Sequence, residues 1–299
     1  MKMSEKIDLA MWTLNGKKTL APVLERIDQV IPTKIVGQRF IVDDGSTDDT
    51  VKTAESHGWT VLRNEGKGIS DGANTALKHV ETEFFCSFEQ DMLLSPDWWK
   101  KVSRHLHKPK VAAVSGMRFY PRTNPISCVE LNTYLNEKKV NGENPLSLRA
   151  AKGQIGVGRT IDNTVYNTSV LRKLGGFPKL SEAGIDTVLA WVIKTSGFDW
   201  LVDTSVHSLH LRPSVRDALT HQFMYAAAFK ETYSVAEELT GVSFEETCQT
   251  STLLRRLATS PFIGLKLALR FREPKLAVLY PPFMTYFFNG YIRGSQRAD

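Results

Sequence analysis

An α/β fold, with a mostly parallel sheet covered by helices on both faces and a helical C-terminal extension, is the architecture this sequence predicts. Three observations point to it. Over the first 117 residues, apolar runs of strand length alternate with segments of helical periodicity. Strand and helix patterns resume beyond residue 160, and after Arg212 the chain reads as helical to its end. Alternation of this kind is the signature of right-handed βαβ units.

The elements follow in order. Strands are expected at Ile7–Trp12, Arg39–Val42, Trp59–Leu62, Phe84–Phe88 and Val111–Met117. Between them, Leu20, Val23, Leu24 and Ile27 mark a first helix, Val51 and Ala54 a second, and Ile69, Ala73, Ala76, Leu77 and Val80 a third. A fourth opens at Ser95-Pro96-Asp97, where a capping serine, a first-turn proline and an acid suited to the helix dipole precede Trp98, Val102 and Leu106. Residues 120–158 lose this regularity except for a short helical piece near Val129–Leu135. A strand at Ile161–Val165, a Leu174-Gly175-Gly176-Phe177 turn, a helix around Ile185–Thr195 and a strand near Trp200–Val202 follow.

Composition narrows the class. The 299 residues are 42% hydrophobic and 23% charged, which excludes disordered and collagen-like chains. Three distant cysteines, Cys86, Cys128 and Cys248, make neither a disulfide framework nor a metal spacing and read as free thiols of a reducing compartment. The N-terminus lacks the apolar core of a signal peptide, so a cytoplasmic location is expected. The net charge of +6 is unevenly placed: residues 255–297 hold eight basic residues and one acid, while the remainder holds 30 basic and 31 acidic residues. A near-neutral body with a basic tail excludes the uniform basicity of a nucleic-acid binder.

The loops at the strand ends carry the chemistry, because open parallel sheets bind ligands there. The first strand ends in Trp12-Thr13-Leu14-Asn15-Gly16, and the second runs into Asp43-Asp44-Gly45-Ser46-Thr47-Asp48-Asp49. Ser46 or Thr47 suffices to cap the next helix, which leaves the two strand-edge carboxylates to meet ligand donors such as a base N–H or ribose hydroxyls. The fourth strand ends in Glu89-Gln90-Asp91, two carboxylates flanking one residue, a spacing that can hold a divalent ion and through it a diphosphate. No G-x-G-x-x-G follows the first strand, which excludes a dinucleotide-dependent dehydrogenase.

Together these segments resemble glycosyltransferase family 2, inverting enzymes of the GT-A nucleotide-sugar fold. The resemblance runs over about residues 5–225 and rests on Ile41-Val42-Asp43-Asp44-Gly45-Ser46-Thr47-Asp48-Asp49-Thr50, Lys67-Gly68 with Gly72-Ala73-Asn74, Glu89-Gln90-Asp91 at the Asp-x-Asp position, the Gly-Gly-Phe turn, and Asp186 nine residues beyond Phe177. It implies that Thr13, Asp43 and Asp44 contact the nucleoside, with Trp12 in place of the family's usual proline. Lys67 and Gly68 would lie near the base or phosphates, and Glu89 and Gln90 near the ribose or donor sugar. Asp91 would ligate Mn²⁺ or Mg²⁺, with His210 beside it. Asp186 would be the general base for a hydroxyl acceptor, since a phosphate acceptor is already anionic and needs none. Glu182 would stand in for the acid missing before Asp186, and Arg212 or Arg216 would assist the leaving diphosphate.

The pattern along the chain is expected to divide it into a GT-A catalytic domain, residues 1–211 (a nucleotide-binding half, 1–117, and an acceptor-side half, 118–211), and a helical region, 212–299. The latter is basic and rich in aromatics. Its longest uncharged run, Leu276–Ile292, contains two prolines and makes a poor spanning helix. Cations beside apolar residues suit a helix lying in a membrane interface instead, the alternative being a segment packed on the catalytic domain with its cations on a solvated face. The expected enzyme is a metal-dependent inverting glycosyltransferase, peripheral on the cytoplasmic face, whose partners are a nucleoside-diphosphate sugar, a glycan or lipid-linked acceptor and an anionic membrane surface, with no nucleic acid. Two alternatives stay open: a nucleotidyltransferase, and a non-catalytic module binding nucleotide-sugars or membranes.

Overall fold

A computed structural model describes residues 6–119, 125–129, 131–132, 159–181, 183–211, 214–243 and 250–298. Its strands are β1 (Ile7–Thr13), β2 (Val36–Asp43), β3 (Thr60–Arg63), β4 (Phe84–Glu89), β5 (Met92–Leu93), β6 (Val111–Phe119), β7 (Asn163–Asn167) and β8 (Asp199–His210). The helices are α1 (Leu20–Val30), α2 (Thr50–Ser56), α3 (Gly68–His79), α4 (Trp98–Val102), α5 (Thr168–Lys173), α6 (Ile185–Thr195), α7 (Val215–Ala227), α8 (Phe229–Thr240), α9 (Thr250–Ala258), α10 (Ser260–Phe271) and α11 (Leu276–Ala298).

One curled sheet of eight strands runs in the order β3-β2-β1-β4-β7-β6-β8-β5. Strand β1 lies between β2 and β4, parallel to both, and all seven of its residues are buried. Period two then assigns its side chains to layers. Leu9 and Met11 pack with Leu20, Val23, Leu24 and Ile27 of α1 and with Trp98 of α4, whereas Ala10 and Trp12 face Ala73, Ala76 and Leu77 of α3 and Leu189 of α6. Helices therefore cover both faces, as the alternation predicts.

The second half is mixed. β7 runs antiparallel to β4 and β6, β6 and β8 are parallel, and β5 pairs antiparallel with β8 at the far edge. Two boundaries depart from the sequence pattern. Ile161 is a core residue but lies in the turn before β7, where its carbonyl accepts the Ser87 hydroxyl at 2.5 Å. β8 continues eight residues past Val202, through a polar segment that the apolar pattern does not mark. Its pairing jumps from Gly116↔Asp203 to Met117↔His207, so an irregularity absorbs the residues between. Of the expected helical piece at 129–135, residues 129, 131 and 132 are helical and the remainder lies outside the described residues. Cys86 and Cys128 are buried free thiols, and Cys248 lies outside the described residues.

The C-terminal helices are bound to the body rather than strung beside it. Leu267 and Phe271 of α10 join Met117, Cys128 and Val202, and Phe283 and Met284 of α11 join Ile126 and Ala218. α11 continues through Pro281 and Pro282. It crosses α7 closely at Gly290 and Gly294, where any Cβ would run into the carbonyl oxygens of Phe223 and Ala227. Gly294→Val is accordingly expected to force the two helices apart. The cost should be of the order of 1–3 kcal/mol, read as a fall in Tm of several degrees by calorimetry. An unchanged Tm would contradict this packing.

Candidate active site

Two loops at the C-terminal end of the sheet are zipped together. Asp43 closes β2, and its carboxylate accepts the Thr13 hydroxyl at 3.1 Å, the Ser46 hydroxyl at 2.6 Å, and the backbone N–H groups of Gly45 and Ser46 at 3.0 and 2.8 Å. Asn15 joins the same seam, donating its backbone N–H to the Ser46 hydroxyl and accepting the Thr47 N–H at 2.9 Å. Ser46 and Thr47 thus tie the loops rather than cap α2; Asp48 accepts the Thr50 N–H at 3.0 Å instead. Asp43 and Thr13 are nearly buried, so Asp43 shapes this loop as much as it offers a carboxylate to a ligand.

Asp44 reaches further out. It accepts Asn64 Nδ2 at 2.8 Å and the Gly68 N–H at 3.0 Å. Gly68 opens α3 with φ +73°, a left-handed conformation that glycine takes without strain, and this aims its N–H at Asp44. Lys67 beside it is exposed, at the N-cap position. Trp12 turns away from the cleft, its ring edge-on to Phe177 at 5.9 Å, so it supports the Gly-Gly-Phe turn from within the core. Gln90 straps the β1 and β4 loops: its amide accepts the Leu14 N–H at 3.0 Å and donates to the Leu14 carbonyl at 3.1 Å.

Glu89, Asp91 and His210 converge. Each offers one ligand atom within 4.8 Å of the others, and His210 Nε2 lies 3.1 Å from Asp91 Oδ2. The backbone enforces this, because Met92 pairs with His210 and the Leu211 N–H donates to the Asp91 carbonyl at 2.8 Å. Two carboxylates and one imidazole in reach of a single point fit a divalent cation.

The same cleft is lined by Asp186, Arg118, Ile161, and three residues of α7, His221, Met224 and Tyr225. Asp186 sits in the first turn of α6, with Oδ1 accepting the Thr187 N–H at 2.9 Å. Burial pushes its carboxyl up; Asp162 adds to the rise and Arg118 opposes it. Burial also pushes Glu89 up to about 8, helped by Asp162, Asp91 and Asp186 and opposed by Arg118. Glu182 and Arg212 lie outside the described residues, and Arg216 is exposed.

Arg118 and Asp162 were not among the expected site residues. Asp162 is fully buried, accepts Thr160 Oγ1 at 2.5 Å and Asn163 Nδ2 at 2.8 Å, and forms an ion pair with Arg118. The signal for it is the run Thr160-Ile161-Asp162-Asn163-Thr164, in which polar residues interrupt an apolar strand pattern. A buried acid of this kind needs a fixed cation. α7 was assigned to the separate helical region, yet three of its side chains reach the cleft, so the cleft draws on both sides of the 211/212 boundary.

A curled α/β sheet with an acidic cleft at its strand ends, where Glu89, Asp91 and His210 converge, is a fold of the GT-A type. The glycosyl transferase family 2 model matches residues 9–175, and the chain belongs to that family. No match was found among curated protein sequences. Among solved structures, the chain is similar to a mannosyltransferase from Pyrobaculum calidifontis in complex with GDP-Man and Mn²⁺, at 17% identity and TM-score 0.68, covering 99% of this chain and 88% of that one. Glucosyl-3-phosphoglycerate synthase from Mycobacterium tuberculosis, in complex with Mn²⁺, UDP and glucosyl-3-phosphoglycerate, aligns at 15% identity and TM-score 0.53, covering 81% and 82%. S. aureus TarS 1-349 in complex with UDP-GlcNAc aligns at 14% identity and TM-score 0.56, covering 98% and 92%.

The raised Glu89 has a thermodynamic signature. With its folded-state pKa above the ordinary carboxylate value, its contribution to the metal-free protein's stability is full below the unfolded value and is lost as pH rises through about 8. Glu89→Gln removes that loss, so its Tm relative to wild type should climb as pH rises from about 5 to about 9. Added Mn²⁺ needs the ionised ligand, and should raise the wild-type Tm more at the alkaline end. A Tm difference flat across this range, measured by differential scanning fluorimetry, would contradict the assignment.

Proposed function

We propose that the protein moves a sugar, with inversion, from a nucleoside-diphosphate sugar to a hydroxyl of a glycan or lipid-linked acceptor. The observation that carries this reading is that Asp186 lines the same cleft as the Glu89–Asp91–His210 cluster. Thr13, Asp43 and Asp44 form the nucleoside end, with Lys67 and Gly68 beside it and Gln90 holding the two loops together. Asp91 and His210, with Glu89, are the metal ligands. The imidazole among them favours Mn²⁺ over Mg²⁺, which prefers oxygen donors and retained waters. A divalent ion bound there supplies positive charge against the departing diphosphate.

The chain's own groups supply the rest. Asp186 is oriented by the Thr187 N–H, and its raised pKa makes it a stronger base than an exposed aspartate. It takes the proton of the acceptor hydroxyl as that oxygen attacks the anomeric carbon from the face opposite the leaving group. Arg118, anchored by Asp162, is a cation in the cleft that can assist the leaving diphosphate. His221, Met224 and Tyr225 wall the acceptor side. The mannosyl- and glucosyltransferase structures, with their GDP-Man, UDP and Mn²⁺, support a nucleotide-sugar donor here. Among the described residues no helix is long and apolar enough to cross a membrane. A peripheral position on the cytoplasmic face is the placement that accords with a lipid-linked acceptor.

A thermal-shift panel of nucleoside-diphosphate sugars with Mn²⁺ identifies the donor, since a ligand bound only by the folded state raises Tm. With that donor, Asp186→Asn should lower transfer by roughly 10²–10⁴-fold while the donor's thermal shift persists. Transfer within about tenfold of wild type would remove Asp186 from the role of base. The anomeric proton coupling of the product, read by NMR, should show the configuration opposite to the donor's.

A further inference from the structure

α10 turns one face to the body and leaves the other bare. Gly264, Leu267, Ala268 and Phe271 are buried. On the opposite stripe Phe262, Leu265 and Leu269, three and four residues apart and so aligned along the helix, are 77%, 53% and 73% exposed. Val278, just inside α11, is 74% exposed. Scattered exposed apolar residues need no explanation, whereas three large ones on one helical stripe mark a contact surface.

The charge around the stripe says what it contacts. From Leu254 to Val278 the chain carries six basic residues, all exposed (Arg255, Arg256, Lys266, Arg270, Arg272 and Lys275), against the single acid Glu273. Lys266 and Arg270 lie one turn apart along the flank of the stripe; Arg270 also donates to Asn132 and packs over Phe271. A second copy docking face to face would set two strongly positive patches against each other, so self-association through this surface is disfavoured. Large apolar side chains with cations alongside match the boundary between anionic headgroups and acyl chains.

We propose that this face of α10, with the turn into α11, lies on an anionic phospholipid surface, Phe262, Leu265 and Leu269 entering the acyl boundary and the basic residues meeting phosphates. The inference rests on the proposed membrane-proximal acceptor and gives it a physical basis: α10 is packed on the body, α11 crosses α7, and α7 lines the cleft. Lipid contact through α10 therefore holds the cleft at the bilayer surface.

The test is sedimentation of the full chain with vesicles of phosphatidylcholine alone and of phosphatidylcholine mixed with phosphatidylglycerol, alongside the donor thermal shift with Mn²⁺. Salt-sensitive binding to the mixed vesicles only is expected. The triple variant Phe262→Ser, Leu265→Ser, Leu269→Ser should bind at least about tenfold more weakly. Lys266→Glu with Lys275→Glu should also lose binding, and both variants should keep the donor shift. Absence of binding to the mixed vesicles, triple-variant binding equal to wild type, or a wild-type dimer in light scattering that the triple variant abolishes would overturn the proposal. Loss of the donor shift in wild type with vesicle binding intact would instead strike the transferase reading and leave the lipid surface standing.

Discussion

Residues 90 and 91 connect a central strand to the far edge of the same sheet, and the rest of the site depends on that short link. β4 and β5 are separated by β7, β6 and β8 in the sheet order, four inter-strand steps. Laid flat, those steps would span about 19 Å at ~4.8 Å each. From Glu89 to Met92 the chain reaches at most about 10.5 Å. The sheet must therefore curl until β8 comes round to the end of β4. That curl sets His210 against Asp91, and it makes Glu89, on a central strand, the neighbour of a histidine more than a hundred residues away.

Closing the sheet concentrates charge of one sign. Among the described residues, Glu89, Asp91, Asp162 and Asp186 share the region with the guanidinium of Arg118, and burial with the neighbouring acids raises Glu89 and Asp186. A cation would relieve such a site, which is what the proposed diphosphate-binding cleft requires. Asp162 gives Arg118 a fixed position, so part of the positive charge is permanent and part is recruited with the ligand. At the proposed nucleoside side, four donors hold the Asp43 carboxylate, and the loop shape it fixes leaves Asp44 to reach outward.

Much of the nucleotide half is legible in the sequence because β1, β4 and the second half of β2, from Phe40 on, are buried on both faces and read as apolar runs, while the acidic residues break those runs at the strand ends. The acceptor half is harder to read. β8 carries Asp203, Thr204, Ser205 and Ser208 in a strand, and its polar letters conceal an eight-residue extension of the strand past Val202. Arg118 closes β6 with no motif around it, and its significance appears only when Asp162 is seen buried beneath it. Likewise the seat of α7 beside the cleft involves its crossing with α11 at Gly290 and Gly294, whose spacing marks a close helix contact but does not name α7 as the partner. The basic tail, by contrast, is plain in the sequence as charge, and the structure divides it into a packed face and a bare one.

Closure of the sheet brings β4 and β8 together at one proposed metal site. Mn²⁺ titration by isothermal calorimetry, on wild type, Asp91→Ala and His210→Ala, tests it most directly. One Mn²⁺ per chain is expected for wild type, with affinity falling at least ~10-fold when either ligand is removed. Unchanged Mn²⁺ affinity in His210→Ala would show that β8 contributes nothing to the site and would contradict the account.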